Sequence, residues 1–133
     1  LLPMTILRFI ITCGVGAAGS AAYAQQAFSA PVAGDEATGE AIFSAECRVC
    51  HGGLIAPTLR GVVGRPIASI DTFGGYSAAL KGRRNETWTD ENLAAFLASP
   101  SGFAPGTGMT KNLSDEQSRA DVIAFLRSLP PPR

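Results

Sequence analysis

Apolar and small residues recur with helical spacing in three separate stretches of the chain. The first stretch runs from about Asp35 to Cys50, the second from about Asp90 to Ser99, and the third begins near Ser114 and ends before Pro130. Positions that return every three or four residues share one face of a helix. In the first stretch that face consists of Gly39, Phe43, Cys47 and Cys50. The pattern predicts an all-α protein with three main helices.

Polar residues mark the predicted helix ends. Asp35 is placed to cap the first helix, and Thr89 is placed to cap the second, which Pro100 would stop. Ser114 and Gln117 belong to the pattern of a capping box, so the third helix is predicted to begin at Ser114.

The segments between these helices, 52–88 and 100–113, are rich in glycine and lack a sustained period. Only a short helix near Tyr76–Leu80 is predicted there. Irregular segments of this length need a support other than their own hydrogen bonds. Three short helices also make a thin core for a chain of this size. We therefore expect something other than side chains to fill the middle of the domain.

The first 24 residues have the pattern of an export signal. Arg8 precedes the apolar run 9–18, and small residues then lead to Ala22-Tyr23-Ala24, which matches a signal-peptidase site. We predict a signal peptide over 1–24, a linker over 25–34 and one domain over 35–133, located in the bacterial periplasm. An uncleaved membrane anchor is the alternative, although polar and glycine residues interrupt the short apolar run.

Composition narrows the function. Among 133 residues, Lys plus Arg and Asp plus Glu both number 11, so the formal net charge is zero and nothing indicates binding to nucleic acid. The size allows one domain, which excludes an enzyme with separate nucleotide-binding and substrate domains. The single histidine, His51, excludes a site that needs several imidazole ligands.

The strongest chemical motif is Cys47-Arg48-Val49-Cys50-His51, the C-x-x-C-H pattern that attaches c-type haem. Residues three apart share a helix face, so both thiols can bond the vinyl groups of one porphyrin while His51 reaches the iron. A zinc site, a redox dithiol and a structural disulfide are alternatives. Zinc needs four ligands and a redox dithiol normally accompanies a βαβ pattern, which makes the first two weaker. The expected cofactor is one haem c, bound through two thioethers.

Met109 is the predicted second axial ligand of the iron. It is the only methionine after the predicted signal peptide, and it lies in a polar loop with glycines rather than on an apolar helix face. A methionine sulfur raises the reduction potential of haem and fills the coordination sphere, which suits electron transfer. An open iron site and ligation by Lys81 or Lys111 are the alternatives.

The chain resembles class I cytochrome c, particularly the mitochondrial-type and bacterial c2-like cytochromes, over about Gly34 to Leu129. The matching segments are Cys47-Arg48-Val49-Cys50-His51, Ala56-Pro57-Thr58-Leu59, Gly64-Arg65, Tyr76, Trp88, Pro105-Gly106-Thr107-Gly108-Met109 and Arg119-Ala120-Asp121-Val122. The resemblance implies a cytochrome c fold, in which three main helices and long loops wrap around one covalently bound haem.

The resemblance also implies roles for individual residues. The Pro57 carbonyl is expected to accept the proton on His51 Nδ1, which would fix the imidazole ring and raise its basicity. Gly39 is expected where the first and last helices cross. Thr107 is expected to bond a haem propionate or the loop beside Met109. The residues expected to bind a propionate, so that no buried carboxylate stays unpaired, are Arg65, Tyr76 and Trp88.

The expected function is that of a single-haem carrier of electrons, not an enzyme, with both axial positions of the iron filled. Expected partners of this monomer are redox proteins, namely a membrane cytochrome complex, a terminal oxidase or a periplasmic dehydrogenase, and cleavage of the leader would leave no stable membrane insertion. Because only Lys81 and Lys111 follow the predicted signal peptide, docking through a strong ring of lysines is not expected. A milder positive patch made by Arg48, Arg83 and Arg84 is the alternative.

Two other functions remain open. A dedicated haem subunit of a periplasmic dehydrogenase or oxidase would share the same chemistry, and an exposed apolar patch would favour it. A peroxidase or gas sensor would instead keep an open iron site, with Met109 not bound to the iron.

Overall fold

The computed structural model describes residues 30–133, and the predicted signal peptide lies outside the described residues. Helix α1, Glu36–Ile42, continues through a π-helical turn, Phe43–Cys47, into α2, Arg48–His51. The other helices are α3, Ala78–Gly82; α4, Asp90–Ala98; α5, Pro100–Phe103; and α6, Glu116–Ser128. The fold of residues 30–133 is therefore all-α, as expected, with one isolated β-bridge.

The caps of the first two main helices agree with the sequence prediction, and the third does not. The side chains of Asp35 and Thr89 each accept a hydrogen bond from the backbone amide three residues further on, at 2.7 and 3.1 Å. At α6 the cap is Asp115, which accepts the amide of Ser118 at 2.7 Å, so the prediction of a helix starting at Ser114 was wrong. A carboxylate caps as well as a hydroxyl, and its negative charge also interacts favourably with the helix dipole.

The shorter helices differ more from the prediction. The helix expected near Tyr76–Leu80 begins two residues later, because the Ser77 side chain caps it by accepting the Leu80 amide. Pro100 ends α4 as predicted but also occupies the first turn of α5, a helix that was not predicted. Amides in the first turn of a helix have no partner within the helix. Proline has no amide hydrogen, so it is tolerated at this position although it would disrupt the interior of a helix.

Helices α1 and α6 cross at very close range. A Cβ atom added to Gly39 would lie 1.9 Å from the backbone oxygen of Asp121, so only glycine permits this approach. Beside it, the rings of Phe43 and Phe125 pack with centroids 5.1 Å apart. The buried Asp121 carboxylate accepts the backbone amide of Asp35 at 2.7 Å, which joins the two helices a second time.

A short antiparallel backbone pairing joins residues 64–66 to residues 87–88, which directly precede the cap of α4. The Gly64 amide donates to the Trp88 oxygen at 2.8 Å, and the Trp88 amide donates to the Arg65 oxygen at 2.9 Å. The pairing brings together two of the residues expected to bind a propionate. Among the described residues, no helix is long and apolar enough to cross a membrane.

Candidate haem site

The attachment motif lies where the first helix changes its winding. Cys47 ends the π-helical turn and is half-buried, Cys50 is exposed in α2, and His51 is the last residue of α2. Single π turns are frequent at functional sites, but nothing in the residue pattern predicted this one. Cys47 and Cys50 form no disulfide bond, so the disulfide alternative finds no support. Burial, and then the charge of Glu46, raise the pKa of the Cys47 thiol above its ordinary value.

The imidazole of His51 is oriented by the loop that follows it. Its Nδ1 atom lies 2.9 Å from the carbonyl oxygen of Pro57. A carbonyl only accepts hydrogen bonds, so Nδ1 carries the proton and Nε2 keeps a free lone pair. Burial lowers the pKa of His51, with the Pro57 contact acting in the opposite direction, and the ring is therefore neutral at pH 7. A neutral imidazole with this orientation is suited to bind a metal.

The Arg65 guanidinium also holds the loop that contains Pro57. Its two terminal nitrogens donate to the backbone oxygens of Arg60 at 2.7 Å and Thr58 at 2.9 Å. Thr58 directly follows Pro57, so this brace fixes the carbonyl that orients His51. The resemblance implied a propionate contact for Arg65, but it did not indicate that two of its donors serve the loop.

Two buried polar atoms among residues 30–133 have no hydrogen-bond partner, namely Arg65 Nε and Ser69 Oγ. Buried donors are nearly always paired in folded proteins, so both positions call for an acceptor. Burial raises the pKa of the Tyr76 phenol, and the positive charge of Arg65 acts in the opposite direction. The Tyr76 phenol therefore belongs to the same region as Arg65. Three donors on neighbouring segments fit a haem carboxylate. Ser69 was missed by sequence reasoning, since a single serine in a loop carries no distinguishing signal.

Trp88 is buried in an aromatic cluster. Its ring stacks on Phe103 with centroids 5.7 Å apart and an interplanar angle of 22°, and it packs against Phe96 at 5.2 Å. This packing accounts for its burial without a cofactor, so its expected contact with a propionate stays a prediction.

Met109 lies in a loop whose shape depends on glycine and threonine. Gly106 has φ +81°, a left-handed conformation that side chains other than glycine rarely adopt. Thr107 Oγ1 accepts the backbone amide of Met109 at 3.4 Å, which is one of the two roles expected for Thr107. Met109 is half-buried, and both it and Cys47 pack against the hydrophobic core. The methionine is therefore oriented toward the interior rather than displayed to solvent.

An ion pair joins the methionine loop to the attachment motif. The Lys111 ammonium contacts the Glu46 carboxylate, and the two side chains remain 52% and 39% exposed. Lys111 was an alternative axial ligand, and in this structure its amine is engaged by Glu46 instead. Within residues 30–133, no three His, Cys, Asp or Glu side chains come together as metal ligands, so a zinc site finds no support either.

Comparison with known proteins shows which proteins the chain is similar to. A family model described as "Cytochrome C oxidase, cbb3-type, subunit III" matches residues 34–126. The chain is 39% identical to the cytochrome c-type cyt cy of Rhodobacter capsulatus, over 76% of this chain and 52% of that protein. It is 35% identical to cytochrome c2 of Rhodopseudomonas palustris, over 71% of this chain and 98% of that protein. The solved structure of cytochrome cH from Methylobacterium extorquens superimposes with a TM-score of 0.60 at 36% identity, covering 71% of this chain and 99% of that one.

The chain belongs to the class I c-type cytochromes, and it binds haem c covalently. The expected fold, three main helices and long loops around one haem, is confirmed by this likeness. The chain spans about half the length of several relatives it matches, 52%, 49% and 50% of the R. capsulatus, Bradyrhizobium diazoefficiens and Rickettsia prowazekii proteins.

Proposed function

We propose that the chain is a periplasmic carrier of single electrons, with one haem c attached to Cys47 and Cys50 and ligated by His51 and Met109. The observation that carries this proposal is the 2.9 Å contact between His51 Nδ1 and the Pro57 oxygen. It fixes the tautomer that leaves Nε2 free for the iron, on the residue that directly follows the second cysteine.

Each residue has a defined task. A haem held by Cys47, Cys50, His51 and Met109 would supply the redox chemistry, with one electron gained or lost at its iron. Pro57 holds the His51 ring, and Arg65 holds the loop that contains Pro57. Thr107 holds the backbone of Met109. With haem bound, the Met109 thioether would favour the ferrous state and would close the site to other ligands.

Propionate binding belongs to the same proposal. Arg65 Nε is buried and without a partner in the described chain, and Tyr76 lies close enough to influence it. A carboxylate beside these groups would be paired rather than isolated, which offsets the cost of burying it. Trp88, whose backbone pairs with Arg65, is proposed as a third contact.

A dedicated haem subunit of a dehydrogenase or oxidase is the second candidate function. The observation that favours it is the exposure of three apolar residues close in sequence to the attachment motif, Val49 at 76%, Leu54 at 99% and Ile55 at 73%. Surfaces of this kind mark contacts with other proteins. Both candidates require the same filled coordination sphere, and neither requires catalysis by this chain.

The deciding measurement is the visible spectrum of the exported protein in both oxidation states. A c-type spectrum with the far-red sulfur-to-iron band in the ferric protein is expected, and the ferrous protein should not bind carbon monoxide. A c-type spectrum without that band would transfer support to an open-site peroxidase or sensor. Absence of haem absorbance, in a host that attaches haem c, would overturn the proposal.

A further inference from the structure

The Arg83 guanidinium makes contacts that hold the last residue of α5. Its central carbon lies 3.7 Å from the centre of the Phe103 ring, and its Nη1 atom donates to the Phe103 backbone oxygen at 3.3 Å. Its Nε atom donates to the Glu86 carboxylate at 2.9 Å, which fixes the direction of the guanidinium. Arg83 directly follows α3, twenty positions before Phe103. One side chain therefore joins the end of α3 to both the ring and the backbone at the end of α5.

The Phe103 carbonyl is one that α5 cannot satisfy by itself. The last carbonyls of a helix have no amide partner within it, and α5 is only four residues long. Pro105 has no amide hydrogen and disfavours helical backbone at Ala104, whose φ of −139° is extended. A positively charged donor is a favourable partner for a carbonyl at a helix end. Arg83 thus fixes the point where α5 ends and the segment leading to Met109 begins.

A short series of contacts connects this point with Met109. Ala104, which follows Phe103, is fully buried, and its backbone oxygen accepts the amide of Thr107 at 3.1 Å. The Thr107 hydroxyl accepts the amide of Met109 at 3.4 Å. Because each contact fixes the start of the next, a shift of the Phe103 carbonyl would be passed on to the methionine.

The Phe103 ring is held at the same time by two other aromatic rings. It stacks on Trp88, and the edge-to-face contact with Phe96 has centroids 5.7 Å apart and an interplanar angle of 78°. A guanidinium over the ring adds an attraction between its charge and the π-electrons. The aromatic rings hold the side chain of Phe103, and Arg83 is the group that also holds its carbonyl.

We propose that Arg83 is a positioning residue for Met109, and that it keeps the segment after α5 in the arrangement in which the sulfur ligates the haem iron. The proposal rests on the proposed function, in which Met109 is the second axial ligand. The sequence pattern marks Arg83 only as one of several arginines, because nothing in it links position 83 with position 103.

Titration of the ferric holoprotein with imidazole measures how firmly Met109 is held, because imidazole binds the iron only where the sulfur leaves it. Arg83→Gln should still fold, since the Arg83 side chain is 31% exposed and the Glu86 partner left behind is 44% exposed. We expect this variant to bind imidazole about tenfold more tightly, the change expected for the loss of one hydrogen bond from a charged donor. The far-red band should disappear at a correspondingly lower imidazole concentration.

Two further variants separate positioning from charge. Arg83→Lys keeps the positive charge but lacks the planar group that contacts both the ring and the carbonyl, so it should behave as Arg83→Gln does. Arg84→Gln is the matched control, because it removes the same charge from the adjacent, exposed residue. Its affinity for imidazole should equal that of the parent.

Three results would overturn the proposal. One is parent affinity for imidazole in Arg83→Gln, even where the variant unfolds at a lower temperature, because the role of Arg83 would then be structural only. The others are parent affinity in Arg83→Lys and equal changes at Arg83 and Arg84, because charge alone would then account for the effect. A parent protein without the far-red band would instead count against Met109 as the ligand, and hence against the proposed function.

Discussion

The crossing of α1 and α6 and the loops around His51 and Met109 are held by different means. At the crossing, protein contacts protein: Gly39 admits the α6 backbone, and the Asp121 carboxylate accepts an amide from the start of α1. In the loops, backbone runs without regular structure over 52–77 and 104–115, and the order comes from individual side-chain contacts such as His51 with Pro57. The first region is complete in itself, whereas the second is arranged around a group that supplies the missing contacts.

This difference indicates how structure and function are divided in the molecule. The crossing stabilises the chain but presents no chemistry. The loops carry Met109, the Pro57 carbonyl that orients His51 and the unpaired donors of Arg65 and Ser69, and we expect them to depend on the cofactor for part of their stability. Substitutions in the two regions should therefore separate loss of folding from loss of redox properties.

The largest effect is expected from removing the attachment itself. The double variant Cys47→Ala with Cys50→Ala should contain no covalent haem and should lose cooperative folding, because the haem replaces core that the side chains do not supply. The loss would be comparable to the whole stability of a small domain, about 5–15 kcal/mol. Haem staining after denaturing electrophoresis and thermal unfolding by circular dichroism measure the two effects. Ser44→Ala, in the same helical turn, is the control, and a colourless variant with a cooperative transition would contradict the expectation.

The next effect tests the helix crossing. Gly39→Ala would place a Cβ atom 1.9 Å from the Asp121 oxygen and should force the helices apart. We expect a loss of ~3 kcal/mol in the free energy of unfolding, with the far-red band retained in the folded fraction. Denaturant titration provides the measurement. The control is Gly82→Ala, because a Cβ atom at Gly82 would have no neighbour within 4 Å. Equal stability of the two variants would show that the crossing is not tight.

Replacing the predicted axial methionine should change the spectrum and potential of the haem more than the stability of the fold. Met109→Ala should keep the haem attached, lose the far-red band, bind carbon monoxide when reduced, and lower the potential by on the order of 100 mV, within the ~0.8 V range that axial ligands set. Stability should fall less than in Gly39→Ala. Voltammetry and the spectrum of the carbon monoxide adduct measure this. Thr110→Ala is the neighbouring control, and an unchanged potential in Met109→Ala would exclude Met109 as the ligand.

The smallest effect concerns the ion pair between Glu46 and Lys111. Both side chains are substantially exposed, so their coupling should be worth only about 0.2–1 kcal/mol and should weaken in high salt. Lys111→Gln and Glu46→Gln should each make it slightly easier for imidazole to displace Met109 from ferric iron. The double variant should add little to either single one. Lys81→Gln, on α3, is the control, and additive effects in the double variant would show that the pair does not hold the methionine loop.

Much of this protein is determined locally in the sequence. The C-x-x-C-H motif, the apolar period of the main helices and the caps Asp35 and Thr89 all act over three to eleven positions. The structure has helices in all three predicted stretches and both caps as predicted. The exceptions are also local in origin. Where two neighbouring residues offered similar caps, as at Ser114 and Asp115, the pattern did not discriminate between them.

Only the tertiary structure decided the contacts between distant segments. The pairing of Glu46 with Lys111, the bracing of Thr58 by Arg65 and the isolation of the Ser69 hydroxyl have no periodicity or motif that marks them. They depend on which backbone segments meet and on which donors are left without an acceptor once they have met. Periodicity and motif spacing describe a chain over a few turns of helix, whereas burial and pairing are properties of the packed whole.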